Sequence, residues 1–244
     1  YMADADTILP MTELHRRSII DVNEKLAGGG FRVIAVAYND TTVSRSSQSA
    51  AENNLTFAGF ITLIDPPRPE VKNSIKECKT AGIRTIMITG DHKVTALAIA
   101  KKLNIYQTGD LAISGTELDQ MSDAELDQAV EKATVFARVS PADKLRIIQS
   151  LKRNGEVTAM TGDGVNDSPA LKAADIGVAM GVTGTDVAKD VADMILLDDS
   201  FTTIVHAIKE GRRVYRNIQK VIQFLLVGNI AEITTLFAAT IFNW

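Results

Sequence analysis

The sequence predicts an α/β fold: a Rossmann-like parallel sheet with flanking helices, preceded by part of another domain and followed by one long helix. Three observations carry this. Between residues 59 and 200, short apolar runs alternate with helical patterns, the order in which right-handed crossovers join parallel strands. Two of these runs end alike, Met87-Ile88-Thr89-Gly90-Asp91 and Ala159-Met160-Thr161-Gly162-Asp163, and each leads into a helical pattern. From Phe201 onward the pattern is helical, and residues 221–244 hold no Lys or Arg and a single acid.

The 244 residues suit one large domain or two small ones, and 45% hydrophobic with 23% charged content is ordinary for a chain that buries a core. A formal net charge of −4 and the lack of a Lys/Arg run argue against a nucleic-acid partner. Cys78 is the sole cysteine, so there is neither a disulfide framework nor a thiolate metal centre, which fits a reducing compartment. Its helical surroundings predict a small packed residue. The chain opens at Tyr1 with no charged-then-apolar leader and stops at Trp244 inside an apolar run, so both ends are expected to be cut from something longer.

In chain order, Leu14, Ile19, Ile20, Val22 and Leu26 predict a helix over 11–26 with one apolar face, stopped by Gly28-Gly29-Gly30. A β-rich run follows from Phe31 to Tyr38, and the Ser-rich stretch from Asn39 to Asn54 predicts a surface loop. Leu55 to Ile64 is the next strand. The three prolines of Asp65-Pro66-Pro67-Arg68-Pro69 bar regular structure and mark a hinge, with Pro69 suited to a helix's first turn. A helix over Val71 to Ala81, a strand over Arg84 to Ile88 and a helix over Lys93 to Leu103 come next. The stretch from Asn104 to Val130 offers only Ser122-Asp123 as a helix start. Thr134 to Ala137 is a strand leading to Arg138, and Ser140-Pro141-Ala142-Asp143 opens a helix with Lys144 in its first turn. A cation is disfavoured at that positive end unless an anion joins it, which phosphate would supply; otherwise Lys144 is a solvated surface lysine. Strands at 176–180 and 194–197 complete an expected sheet of about six strands.

The candidate chemistry centres on Thr161-Gly162-Asp163-Gly164-Val165-Asn166-Asp167-Ser168-Pro169. A buried parallel strand carries Asp163 to its carboxyl end, where ligands sit on such sheets, and the flanking glycines permit a tight turn. Asn166 and Asp167 add oxygens within one turn before Ser168-Pro169 starts a helix. Two acids, an amide and exposed backbone N–H groups suit Mg²⁺ together with phosphate, because Mg²⁺ takes hard oxygen ligands and usually shares them with a phosphate.

The run from Thr161 to Gly181 resembles the hinge motif of P-type cation-transporting ATPases, whose phosphorylation domain belongs to the haloacid dehalogenase superfamily. Asp65-Pro66-Pro67-Arg68, Met87-Ile88-Thr89-Gly90-Asp91 and Phe136-Ala137-Arg138-Val139 extend the likeness over nearly the whole chain. It implies the end of a nucleotide-binding domain at 1–58, a phosphorylation domain at 59–200, and a stalk and transmembrane helix at 201–244. It further implies that Arg32, Asp65, Thr89, Gly90, Asp91, Arg138 and Lys144 serve ATP, and that Asp163 holds Mg²⁺. Thr89 and Lys144 would take the phosphoryl oxygens, with Asn166 and Asp167 ordering the metal site. One departure matters: the family's Asp-Lys-Thr-Gly-Thr, which carries the phosphorylated aspartate, occurs nowhere in the sequence. The chain therefore reads as part of a pump, inactive alone. A soluble haloacid dehalogenase-like phosphatase and a non-catalytic Mg²⁺- or nucleotide-binding module stay open as alternatives.

The apolar run from Val221 is long enough to span a bilayer, and Arg212, Arg213, Arg216 and Lys220 before it place its start on the cytoplasmic side. The resemblance implies a multi-pass membrane protein with residues 1–220 in the cytoplasm. A long buried helix is the soluble alternative. Asn229 and Glu232, three apart, share a helix face, and an ionisable group in hydrocarbon is by default functional. Oxygen ligands favour a hard cation such as Ca²⁺. The run Gly228-Asn229-Ile230-Ala231-Glu232 is similar to the fifth transmembrane helix of calcium pumps, and sodium–potassium pumps carry a similar pair. Expected partners are thus ATP, the cation, the bilayer and the pump's remaining domains.

Overall fold

The computed structural model describes residues 2–4, 7–39, 54–64 and 66–242. Its first unit is built from β1 (Met2–Asp4), β2 (Thr7–Leu9), α1 (Glu13–Gly28), β3 (Arg32–Tyr38) and β4 (Thr56–Leu63). These strands form one sheet in the order β2-β1-β4-β3, with β3 and β4 antiparallel from Arg32 opposite Leu63 to Tyr38 opposite Thr56. Strand β4 continues through residues 58 and 59 with a bulge at Ala58, since Val36 faces Gly59 and Ala37 faces Phe57. Helix α1 starts where the Thr12 hydroxyl accepts the His15 N–H at 3.2 Å. The apolar face expected for it is covered only in part: Ile19 and Leu26 are half-buried, while Ile20 and Val22 are exposed and Leu14 is 77% exposed. Of the Ser-rich loop expected from Asn39 to Asn54, residues 40–53 lie outside the described residues, as does Asp65.

The second unit runs α2 (Pro69–Thr80), β5 (Met87–Thr89), α3 (Lys93–Lys102), β6 (Leu111–Ser114), α4 (Gly115–Asp119), α5 (Asp123–Ala129), β7 (Ala133–Ala137), α6 (Pro141–Arg153), β8 (Ala159–Gly162), α7 (Ser168–Ala173), β9 (Ile176–Met180), α8 (Asp186–Val191) and β10 (Met194–Leu196). In place of one sheet of about six strands there are two parallel sheets of three, ordered β5-β7-β6 and β10-β9-β8. The expectation fails because β5 and β8, each an edge strand, do not pair with one another. Helix α6 joins the two halves instead: Ile147 packs with Phe136, Leu118 and Leu126 under one sheet, while its neighbour Ile148 packs with Met160, Leu171 and Ala179 under the other. Cys78 is buried in α2, and that burial pushes its thiol up, so it is a packing residue.

Helix α9 (Phe201–Phe242) is continuous over 42 residues, or about 63 Å at the α-helical rise. Only its first turns are held. Ile204 and Val205 are buried, the Thr202 hydroxyl meets that of Ser74 at 3.0 Å, Lys209 pairs with Glu77 at 2.7 Å, and Arg212 donates to the Ala81 carbonyl. Farther along, an 18-residue window has a mean hydropathy of 1.7 with no residue buried, and the helix is long and apolar enough to cross a membrane.

Candidate active site at the carboxyl edge of two parallel sheets

Two hydrogen bonds bind the β7 tip to the β5 tip. Arg138 N donates to the Asp91 carbonyl at 3.0 Å, and Val139 N donates to the Thr89 carbonyl at 3.4 Å. Arg138 sits in the left-handed region at φ 52°, and its carbonyl lies against Gly115, where an added Cβ would stand 2.3 Å from that oxygen. Gly115 is thus the residue that lets β6 and β7 close together. The Thr89 hydroxyl accepts the Asp91 N–H at 3.1 Å, which leaves its own proton to donate outward. Gly90 and Asp91 are exposed, with open space where a Cβ on Gly90 would stand.

The start of α6 is fixed by reciprocal bonds: the Ser140 hydroxyl accepts the Asp143 N–H at 3.2 Å, and the Asp143 carboxylate accepts the Ser140 N–H at 2.7 Å. This aims Lys144 across to the other sheet, where its Nζ lies 2.5 Å from Asp167 Oδ1. Since Lys144 follows the β7 tip and Asp167 follows the β8 tip, the strand ends of both sheets meet at one edge. Asp167 is 6% exposed; its second oxygen accepts the N–H groups of Asp163 at 3.3 Å and Gly164 at 3.4 Å. The bend is possible only at glycine, for a Cβ on Gly162 would lie 2.5 Å from the Asp167 Cβ. Gly162→Ala should therefore displace Asp167 and cost about 1–3 kcal/mol, the usual range for overpacking, measurable by denaturant unfolding of the 244-residue chain. An unchanged midpoint would show that Asp167 can move freely.

Asp163 and Asn166 are exposed beside this pair, and Asp163's carbonyl accepts the Thr185 N–H at 2.8 Å. Among the described residues no three His, Cys, Asp or Glu gather into a metal cage. The Asp163 carboxylate and the Asn166 amide offer exposed oxygens that fit Mg²⁺, which keeps several waters and needs one or two carboxylates plus phosphate. The Ser168 hydroxyl, next to Asp167, is buried without a partner among the described residues, which also points to a site that takes a further polar group.

Eight of the sequence-predicted residues, Thr89, Gly90, Asp91, Arg138, Lys144, Asp163, Asn166 and Asp167, thus share one edge. Arg32 does not join them: it is exposed on β3 in the first sheet, and among the described residues no hydrogen bond or ion pair ties it to either tip. Asn229 and Glu232 lie on the exposed part of α9. Sequence reasoning passed over Lys93 and Glu117, paired at 2.7 Å at the same edge; Lys93, with the Ser114 hydroxyl and N–H, holds the Glu117 carboxyl down to about 2. The Ser114-Gly115-Thr116-Glu117 spacing was the available signal, a capping box that opens α4.

Comparison with known proteins places this geometry. Residues 14–175 match the model of haloacid dehalogenase-like hydrolases, and residues 143–208 match a second model of the same description. The calcium-transporting ATPase 1 of Bacillus cereus is 51% identical over 234 residues, covering 96% of this chain and 26% of the relative. A calcium-transporting ATPase of Bacillus subtilis is 52% identical over 215 residues, covering 88% of this chain and 24% of that protein. The human calcium-transporting ATPase type 2C member 1 is 45% identical over 236 residues, covering 97% and 25%. The chain spans about a quarter of the length of the curated relatives it matches. Two parallel sheets that bring a lysine, a buried aspartate and two Thr-Gly-Asp tips to one edge, with a family model matched across 14–175, mean that this chain belongs to the haloacid dehalogenase-like hydrolases.

Proposed function

We propose that the chain is part of an ATP-driven P-type cation pump that carries Ca²⁺, in which ATP hydrolysis passes through an aspartyl-phosphate. The observation that carries the reading is the convergence of Thr89 and the Lys144–Asp167 pair on one sheet edge, in a chain that also holds a membrane-length helix. The names of the calcium-transporting relatives support it. In this reading residues 1–58 close the nucleotide-binding domain, 59–200 form the phosphorylation domain and 201–244 form the stalk and a transmembrane helix. The protein is multi-pass, with residues 1–220 in the cytoplasm.

The aspartate that accepts the phosphoryl group would arrive on a strand seated between β8 and β5. Each is the edge strand of an all-parallel sheet, and an unpaired edge is a row of donors and acceptors that needs a cover. Such a strand would bring its tip between Thr89 and Lys144. The Lys144 ammonium, held in place by Asp167, neutralises charge on the transferring phosphoryl oxygens, and the Thr89 hydroxyl donates to them. Mg²⁺, held by Asp163 and ordered by Asn166 and Asp167, would supply Lewis-acid charge neutralisation between nucleophile and phosphate. Arg32, Asp65, Gly90, Asp91 and Arg138 would line the path of the nucleotide.

The test separates this pump from a soluble phosphatase. The 244-residue chain should be extracted only with detergent and should hydrolyse neither ATP nor a simple phosphate ester, having no acceptor aspartate. Phosphatase turnover by detergent-free chain would reject the pump and favour the soluble enzyme.

A further inference from the structure

The junction between β10 and α9 contains a hydrogen-bonded hub that the phosphoryl chemistry does not use. Asp199 stands there in the left-handed region, at φ 49°, which Asp tolerates better than most residues. Its carboxylate accepts four bonds from the loop after β9: Gly181 N at 2.7 Å, Val182 N at 3.0 Å, and Thr183 N and Oγ1 both at 2.8 Å. The Val182 N–H, with those of Thr183 and Gly181, holds this carboxyl down to about 2. The loop is tightly set. A Cβ on Gly184 would stand 2.0 Å from the Met180 carbonyl, and one on Gly181 would stand 2.6 Å from that of Leu196.

Both sides of this hub lead somewhere. Two residues past Thr183, the Thr185 N–H donates to the carbonyl of Asp163, the candidate metal ligand, at 2.8 Å. On the other side, the Asp199 carbonyl accepts Arg68 from the proline-rich hinge at 2.9 Å, and the adjacent Asp198 accepts Ser200 N at 3.1 Å and the Thr203 hydroxyl at 2.7 Å in the first turn of α9. Asn229 lies about 42 Å along α9 from its start at the α-helical rise. A tilt of about 5° at the root would move it by about 4 Å.

We propose that Asp199 is a positioning residue that couples the Asp163 loop to the root of α9, so that a shift at the sheet edge tilts the helix carrying Asn229 and Glu232. This rests on the pump reading above. Val182 and Thr183 are exposed, so losing the hold hands their N–H groups to water, and what is lost is the fixed placement of the loop.

The experiment reads cation moved per ATP hydrolysed by the reconstituted pump, a ratio independent of how much protein is folded. Asp199→Ala should lower it at least five-fold. Asp199→Asn should lower it less, since its one oxygen can still accept from Gly181 and Val182, and Thr183→Val, which removes one bond of four, should lower it about two-fold. Asp175→Asn is the comparison: Asp175 accepts Thr158 N and Oγ1 at the opposite end of β8, so its loss should lower the melting temperature and leave the ratio unchanged. A ratio within two-fold of wild type in Asp199→Ala overturns the proposal. If that variant does not fold, wild-type ratios in both Asp199→Asn and Thr183→Val overturn it. A wild-type pump that hydrolyses ATP and moves no cation rejects the pump reading instead. The hold itself is then decided in the 244-residue chain by spin labels at Val187→Cys on α8 and Val214→Cys on α9, both exposed. Their distance distribution should broaden at least two-fold with Asp199→Ala and not with Asp175→Asn; an unchanged width rejects the role of Asp199.

Discussion

Asp163→Asn in the intact pump should lower phosphoenzyme formation from ATP at least about 100-fold, the scale lost when one charge-stabilising group leaves an active site. The fold should not suffer. The Asp163 side chain is exposed and its structural bonds are made by its backbone, through N–H to Asp167 and carbonyl to Thr185. The amide keeps the shape and removes the charge that Mg²⁺ needs beside a phosphate. Acid-quenched labelling at ordinary Mg²⁺ measures the loss, and denaturant unfolding checks the fold. Normal labelling would remove Asp163 from the metal site.

Glu232→Gln should raise the Ca²⁺ concentration for half-maximal phosphorylation by ATP at least about ten-fold, or about 1.4 kcal/mol of binding, while phosphorylation by inorganic phosphate without Ca²⁺ persists. Glu232 lies three residues from Asn229 on the exposed length of α9, in a stretch whose burial in lipid would make a lone carboxylate costly. Oxygen ligands from neighbouring helices of the pump would complete a hard-cation site. The two phosphorylation reactions separate the proposed ion site from the proposed catalytic edge, which lies toward the start of the helix. Unchanged Ca²⁺ activation, or activation by Na⁺ in its place, would refute the assignment.

Both Thr-Gly-Asp tips were legible in the sequence because a buried parallel strand, a glycine turn and a helix start each leave a short local signature. Lys144 was legible as a cation misplaced at a helix start, with phosphate as the expected anion; in the structure Asp167, 23 positions away, meets it instead. Strand β6 was not legible, since Leu111-Ala112-Ile113-Ser114 lacks the Thr-Gly-Asp tip that marked the similarly short β5 and β8. The apolar residues of α1 suggested a covered face that the described residues provide only in part. The Asp199 hub left no trace because its bonds bridge 16 to 18 residues and depend on where β9 and β10 come to rest. Splitting of the sheet was equally hidden: strand count can be read locally, but whether β5 meets β8 depends on what lies between them.

The central claim is that this edge becomes a phosphoryl-transfer site when an aspartate-bearing strand joins β8 and β5. Labelling with γ-phosphate-labelled ATP tests it most directly, comparing the 244-residue chain with a longer protein that adds the upstream Asp-Lys-Thr-Gly-Thr segment. The expected result is an acid-precipitable phosphoenzyme that forms only in the longer protein, requires Ca²⁺, and is discharged by hydroxylamine as an acyl phosphate. Labelling of the 244-residue chain by itself, or labelling of the longer protein that ignores Ca²⁺, would contradict the account.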